Sequence, residues 1–291
     1  MTLNITIVNQ WGVWQCSDLR LTEWPSGKVV DDYSIKHVTV RATDGAALVT
    51  YTGLGKVRGN YVSSWLRRTI RGESRTVEET LNLIRDRATS QLGNAAAGLG
   101  IHHTFSVGAF IRGWPGAFLI TNMDPADPLN RPPLKKFTGT ARMIHTHGPQ
   151  LMLAGTKGAV THEDIALLNR IVGRNPKRPL DYRRLMAGVN RRASQQYPLG
   201  NLISEACVTS YIPPAGEPFQ NETHWWGMTR PKVERVVPMT LFGIDLTEVA
   251  QVQLDHLEDI TSPDEAHRAL AQERYERLMR KAERRMLDPN A

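Results

Sequence analysis

The chain has 291 residues, of which 41% are hydrophobic and 22% are charged. These fractions are ordinary for a folded globular protein, so extensive disorder is not expected. No apolar run approaches the ~20 residues that cross a bilayer, and polar residues interrupt the apolar start of the chain. We therefore predict a cytoplasmic protein without a membrane partner.

The net charge of +7 could indicate a nucleic-acid partner. However, the basic residues of the last predicted helix are interleaved with Glu273, Glu276 and Glu283, which is typical of a solvated helix face. No nucleic-acid-binding motif accompanies them, so no such partner is expected. Cys16 and Cys207 each lie in an apolar strand-like run, and both are predicted to be small core residues.

The first part of the chain alternates apolar and polar residues in short runs, which predicts four strands. They cover residues 3–8, 13–17, 35–40 and 46–51. The apolar spacing then becomes that of a helix over residues 57–70. A second helix is predicted to begin at Thr76, because Thr76 and Glu79 have the spacing of a capping box, and to end at Gly93.

Strands are predicted again over residues 104–111, 117–123, 141–146 and 205–212, and helices over 161–173, 181–194 and from 262 onward. Blocks of consecutive strands thus alternate with pairs of helices. This order favours antiparallel sheets covered by helices over a parallel βαβ sheet. The predicted fold is α+β, a four-layer αββα sandwich of two antiparallel sheets.

The start of the chain carries polar residues that a terminal strand does not explain. A threonine stands at position 2, the predicted hairpin ends in Asp18-Leu19-Arg20-Leu21-Thr22, and Lys36 follows after a loop. This spacing, with the order of elements, resembles the N-terminal-nucleophile (Ntn) hydrolases of the proteasome β-subunit type and their simpler bacterial relatives. In that family a nucleophilic threonine is followed by an acid-x-Arg-x-Thr motif and a catalytic lysine.

Three later matches to this family are shorter. Thr52-Gly53 is similar to its Ala-Gly step, Gly155-Thr156-Lys157 to its Gly-Ser-Gly, and Asn201-Leu202-Ile203-Ser204 to its Asp-x-x-Ser. Asn201 replaces an acid and Lys157 replaces a glycine. Because asparagine carries no negative charge, the electrostatics of the site are expected to differ from those of the family pattern. The resemblance covers roughly residues 2–215 and predicts an Ntn domain over 1–215 and a C-terminal extension with a charged helix over 216–291.

The resemblance implies a catalytic set of Thr2, Asp18, Lys36, Gly53, Asn201 and Ser204. After removal of Met1, the α-amine of Thr2 would take the proton of its own hydroxyl, which is a poor nucleophile alone. Lys36, held by Asp18, would keep that amine neutral and stabilise the alkoxide. The Gly53 N–H would be the oxyanion donor. Substrate binding is assigned by the same resemblance to Arg20, Thr22 and Thr156.

Each of these residues also has a plainer interpretation. A threonine at position 2 is common, an Asp-x-Arg after a strand can be a surface ion pair, and Lys36 can be an edge-strand residue that opposes aggregation. Because the three fall in register, the sequence favours the catalytic interpretation.

The predicted function is a threonine-type endopeptidase that acts on peptides or unfolded proteins within a homo-oligomeric ring, which an ATPase unfoldase could feed. The first alternative is a non-catalytic scaffold or assembly subunit of the Ntn fold, favoured by Asn201 and by any retention of Met1. A weaker one is a small-molecule Ntn amidase. No cofactor is implied. His145 and His147 would share one strand face, but no third ligand has suitable spacing, so no metal site is predicted.

Overall fold

The computed structural model describes residues 2–128, 130–156, 158–196, 202–214, 222–227, 238–259 and 264–288. Within these ranges it contains sixteen strands and eight helices. The strands are β1 (Leu3–Asn9), β2 (Gly12–Asp18), β3 (Leu21–Thr22), β4 (Val29–Asp31), β5 (His37–Ala42), β6 (Gly45–Thr52), β7 (Lys56–Val57), β8 (Asn60–Tyr61), β9 (Thr104–Ile111), β10 (Trp114–Thr121), β11 (Thr138–Met143), β12 (Gln150–Gly155), β13 (Cys207–Ile212), β14 (Glu222–Trp226), β15 (Met239–Leu241) and β16 (Ile244–Asp245). The helices are α1 (Val62–Ile70), α2 (Val77–Gln91), α3 (Gly93–Gly98), α4 (Ile144–His147), α5 (His162–Ile171), α6 (Pro179–Gln196), α7 (Leu246–Asp259) and α8 (Glu265–Leu287).

Two large sheets carry most of the strands. One has five strands in the order β12-β1-β2-β13-β14, and the other has seven in the order β11-β10-β9-β6-β5-β15-β16. Neighbouring strands run antiparallel, except that β15 pairs with β5 in parallel. The prediction of an α+β fold with antiparallel sheets is therefore confirmed.

Three apolar clusters hold the sheets and helices together. One joins the seven-stranded sheet to α1 and α2 through residues such as Leu66 and Ile84, and a second joins the five-stranded sheet to α5 and α6 through residues such as Leu168 and Met186. The third combines residues of both sheets. A Cβ on Gly108 would lie 2.4 Å from Val13 Cγ1, so a glycine in β9 permits the close approach to β2.

Local capping explains where two helices begin. Thr76 accepts a hydrogen bond from the Glu79 N–H at 3.2 Å, while the Glu79 carboxylate accepts one from the Thr76 N–H at 2.8 Å. This is the predicted capping box at the start of α2, and it satisfies two otherwise unpaired backbone donors. Thr161 caps α5 by accepting from the Asp164 N–H at 3.1 Å.

Several predicted elements need correction. Helix α1 begins at Val62 instead of residue 57, because β7 and β8 form a small hairpin whose turn residues Arg58 and Gly59 have φ of 49° and 78°. The predicted strand over residues 141–146 is wrong in its second half, since β11 ends at Met143 and residues 144–147 form α4. His145 and His147 therefore lie on a helical turn and do not share a strand face.

Other elements were missed or lie outside the described ranges. Strands β12, β14, β15 and β16 had not been predicted, because short strands depend on their neighbours more than on local spacing. Helix α8 begins at Glu265, and its predicted start at residues 262–263 lies outside the described residues. Both cysteines are free and buried, as predicted. Among the described residues, no helix is long and apolar enough to cross a membrane.

Candidate functional site

Thr2 is held in place by the two strands that flank β1. The Thr156 N–H donates to the Thr2 carbonyl at 2.9 Å, and the next amide, that of Leu3, donates to Asp18 Oδ1 at 3.0 Å. Gly155 has a φ of +127°, and a Cβ there would lie 1.8 Å from the Thr2 carbonyl oxygen. Only glycine fits this close approach, so the end of β12 fixes the position of Thr2. Thr2 itself is 4% exposed.

Asp18 and Lys36 form an ion pair whose carboxylate accepts from the amide that follows Thr2. Their side chains are fully buried, and Lys36 Nζ lies 2.9 Å from Asp18 Oδ1. The ammonium also donates to the Asp18 carbonyl at 3.1 Å and to the Arg20 carbonyl at 2.7 Å, so three acceptors match its three N–H groups. Burial lowers the pKa of the Lys36 ammonium, and the Asp18 carboxylate opposes that shift. The sequence had paired these two residues, and the structure brings them together.

The Asp18 carboxylate is also a hub for backbone amides. Besides the Leu3 N–H, it accepts from the Arg20 N–H at 3.0 Å and from the Ser204 N–H at 3.4 Å. Ser204, 4% exposed, is thereby attached to the pair, while its carbonyl accepts from Asn190 Nδ2 at 2.9 Å. Three separate segments thus converge on one carboxylate, which fixes the start of β1 relative to the rest of the fold.

An open cleft with a volume of about 250 Å³ lies beside Thr2. Four of the predicted site residues line it, namely Thr2, Thr22, Gly53 and Thr156. The remaining lining residues are Glu23, Trp24, Pro25, Gly27, Thr52, Gly100, Ile101, His102 and Gly155. The cleft therefore places four threonines and the exposed backbone of Gly53 around one space.

One predicted site residue, Arg20, is placed differently, and another lies outside the described residues. The Arg20 guanidinium pairs with Asp32, and Arg20 is not among the residues lining the described cleft. Its carbonyl, however, holds Lys36. Asn201 lies outside the described residues, and so does Lys157, the other departure from the family pattern.

The sequence had not indicated the role of His103. Its Nδ1 accepts from the Leu54 N–H at 3.0 Å, and the ring is fully buried beneath Gly53, where a Cβ would lie 2.8 Å from His103 Cα. Burial lowers the pKa of His103 to about 3, so the ring stays neutral and keeps an acceptor for Leu54. The residue positions the backbone of the cleft wall. Nothing in its local sequence marks this role.

In the described part of the chain, no three His, Cys, Asp or Glu side chains are grouped so that they could hold a metal ion. His145 and His147 are both exposed on α4.

Solved structures of similar fold exist, whereas no family model and no curated protein matches the chain. The chain is similar to the Anbu protein described as the helical assembly of the Anbu complex from Pseudomonas aeruginosa, with 16% identity, 91% of this chain and 99% of that chain covered, and a TM-score of 0.50. It also matches Anbu from Hyphomicrobium sp. strain MC1, with 11% identity, coverages of 77% and 86%, and a TM-score of 0.49. Anbu, described as ancestral beta-subunit, from Yersinia bercovieri is 11% identical, with coverages of 72% and 82% and a TM-score of 0.48.

The match to the Pseudomonas aeruginosa structure, with the absence of any matching family model or curated protein, corrects the family that the sequence suggested. The identification as a proteasome β-subunit-type threonine peptidase is wrong, because the structural neighbours are Anbu proteins and no family model or curated protein supports that peptidase family. The physical reason lies in the motif. Thr2, Asp18 and Lys36 have the spacing of the family motif because the β1–β2 hairpin and the buried ion pair hold the start of the chain in place. This structural role does not require catalysis.

Proposed function

We propose that this chain is an assembly subunit of the Ntn fold that associates with copies of itself. The observation that carries the proposal is an arm, residues 21–33, which contains β3 and β4 and carries three exposed apolar side chains. On this arm Trp24, Val30 and Tyr33 are 50%, 49% and 47% exposed. Clustered exposed apolar side chains mark interaction surfaces. The fold shared over most of its length with a protein described as a helical assembly supports the same proposal.

The finer architecture that we propose is the four-layer αββα sandwich. It is supported by the order of the apolar clusters, one between the two sheets and one between each sheet and its helix pair. The division into an Ntn domain over residues 1–215 and an extension over 216–291 stays a prediction, as do the ring form of the assembly and the cytoplasmic location.

Light scattering on the untagged full-length protein tests self-assembly. We expect a particle larger than a monomer whose size depends on concentration. The variant Trp24→Ser/Tyr33→Ser should shift it to the monomer, while Trp114→Ser, which removes an equally exposed tryptophan from the start of β10, should not. A wild type that is monomeric at every concentration overturns the proposal. An arm variant that assembles like the wild type overturns the assignment to the arm.

A second candidate function is amide hydrolysis by Thr2, and one observation favours it. The fully buried Lys36 is attached through Asp18 to the amide that follows Thr2, while Thr2 lines an open cleft. Burying a charge pair has a desolvation cost that simple strand pairing does not require. The pair therefore suits a site where a positive charge acts on a neighbouring group.

In this candidate reaction, Thr2 Oγ attacks the amide carbonyl carbon while its proton passes to the Thr2 α-amine. The carbonyl oxygen becomes an oxyanion for which Gly53 is the candidate donor. The C–N bond then breaks, the leaving amine takes the proton, and water hydrolyses the resulting ester. Lys36 stabilises the deprotonated hydroxyl during the first step. Peptide substrates and an ATPase partner stay predictions.

The intact mass of untagged protein tests the second candidate first, because the reaction needs Thr2 as the N-terminal residue. Loss of Met1 and covalent labelling by a peptide epoxyketone are expected. Thr2→Ala should abolish labelling, whereas Thr22→Ala, at another threonine of the cleft, should leave labelling present. A retained Met1 refutes hydrolysis and leaves the assembly proposal untouched.

A further inference from the structure

A second cavity, with a volume of about 390 Å³, adjoins the cleft at Thr2. The two spaces share the wall residues Thr52, His102, Gly155 and Thr156. Its size lies within the range of about 300–1,000 Å³ that is typical of ligand pockets. A molecule bound in the cleft could therefore extend into the second cavity without leaving the protein surface.

The cavity lies between one edge of the five-stranded sheet and strands β6, β9 and β10 of the seven-stranded sheet. Strand β12 is the edge strand of the five-stranded sheet, and its Leu153 is only half-buried although it is apolar. Leu119 of β10, in the other sheet, is half-buried as well. Apolar side chains dominate the lining, and these are Leu3, Leu119, Met123, Leu153, Val160 and Ile165. This surface favours an apolar occupant.

The described walls of the cavity disfavour a charged occupant. The lining contains no Asp, Glu, Lys or Arg among the described residues. A charged group moved into this space would lose hydration without gaining a partner of opposite charge. The chemistry of the walls therefore selects for size and apolarity.

The junction between the two spaces is polar. His102 lines both the cleft and the second cavity and contributes an imidazole ring to the junction. The Thr156 hydroxyl approaches the Thr2 carbonyl at 3.5 Å, at the limit of a hydrogen bond. Because His102 borders both spaces, its imidazole can hydrogen-bond to an amide group of a molecule that lies across the junction.

We propose that this cavity binds a bulky apolar side chain of a peptide ligand whose backbone lies in the Thr2 cleft, and that His102 hydrogen-bonds to the ligand's backbone at the junction. The proposal rests on the second candidate function only in so far as the cleft binds peptides; hydrolysis is not required. His102 is thus assigned as a ligand-positioning residue and the cavity as the determinant of side-chain preference.

The probes are N-acetyl-Gly-X-Gly-amides with X as Phe, Leu, Ala or Asp, and their dissociation constants are measured by titration calorimetry on the full chain. We expect the Phe and Leu peptides to bind roughly tenfold or more tightly than the Ala peptide. The Asp peptide should bind no better than Ala. Equal affinity for the Phe and Asp peptides, or no binding of any peptide, overturns the proposal.

Cavity-filling variants test whether the second cavity is the part of the protein that prefers apolar side chains. Met123→Trp fills the cavity and should remove the advantage of Phe over Ala. Met143→Trp, at a half-buried methionine that lines a different cavity, is the matched control and should keep that advantage. Val160→Phe is a milder filling variant for the case in which Met123→Trp does not fold. His102→Phe should weaken the Phe and Ala peptides by the same factor.

Failure of this proposal and failure of hydrolysis give different results. If the apolar preference is present but the epoxyketone does not label Thr2, the cavity assignment stands and hydrolysis fails. If labelling occurs without any preference for Phe over Asp, hydrolysis stands and the cavity assignment is refuted. A filled cavity that leaves the preference unchanged also refutes it.

Discussion

The variant Lys36→Met tests whether the buried ion pair holds the start of the chain in place. The substitution keeps an unbranched side chain of similar length and removes the ammonium from a fully buried position. Asp18 would keep its three backbone N–H donors, from Leu3, Arg20 and Ser204, but would lose its cation. The carbonyls of Asp18 and Arg20 would each lose a donor.

The magnitude follows from these losses. Removing one partner of a buried pair costs about 3–5 kcal/mol because a charge is left uncompensated. The three remaining amide bonds to Asp18 place Lys36→Met toward the lower part of that range, so we expect a loss of about 3–4 kcal/mol in the free energy of unfolding. Asp18→Asn should cost about as much, since it leaves the Lys36 ammonium buried and presents an amide NH₂ where carboxylate oxygens accept N–H groups.

Urea unfolding monitored by circular dichroism at pH 7 and fixed protein concentration measures these values. The double variant should lose less than the sum of the single variants, because both charges are then absent. Arg280→Met is the control, since the Arg280–Glu276 pair is exposed on α8 and should be worth less than about 1 kcal/mol. A Lys36→Met protein within about 1 kcal/mol of the wild type would refute the reasoning.

Three further variants test other parts of the fold. Burial lowers the pKa of His37 from 6.5 to about 3, so the neutral ring contributes stability above pH 6.5 that is lost as the pH falls toward 3. His37→Phe should therefore remove about 2 kcal/mol of the difference in unfolding free energy between pH 7 and pH 5. Urea unfolding at both pH values measures this difference. Gly155→Ala should destabilise the protein by at least about 2 kcal/mol, because the new Cβ collides with the Thr2 carbonyl, whereas Gly98→Ala, with open space around it, should be neutral or stabilising in thermal unfolding. Thr76→Ala removes a helix cap and should cost about 1 kcal/mol, and a thermal midpoint equal to that of the wild type would contradict the role of the cap.

Much of the secondary structure could be predicted because its signals are local. The capping residues Thr76 and Thr161 predicted the starts of α2 and α5, and alternating apolar residues predicted the β1–β2 hairpin. Short strands could not be predicted in the same way. Strand β15 forms because residues 239–241 pair with β5, and a pattern of three residues does not indicate which strand they pair with.

In the candidate site too, some features follow from local sequence and others depend on tertiary contacts. The spacing of Thr2, Asp18 and Lys36 was visible in the sequence, since the hairpin fixes the first two and a short loop supplies the third. The sequence overstated what that spacing means, because in this chain the same three residues also hold the first strand in place through the Asp18–Lys36 pair. Family and activity require evidence beyond the register.

By itself, the sequence predicted the antiparallel α+β fold and the buried cysteines, and its resemblance to a known family paired Asp18 with Lys36. Only the tertiary structure decided which residues share the space beside Thr2. His102 and Gly155 lie far along the chain from Thr2 and meet it because β12 pairs with β1 and because residues before β9 cross the cleft wall. Those contacts depend on how the two sheets pack together, and the spacing of residues along the chain does not determine that packing.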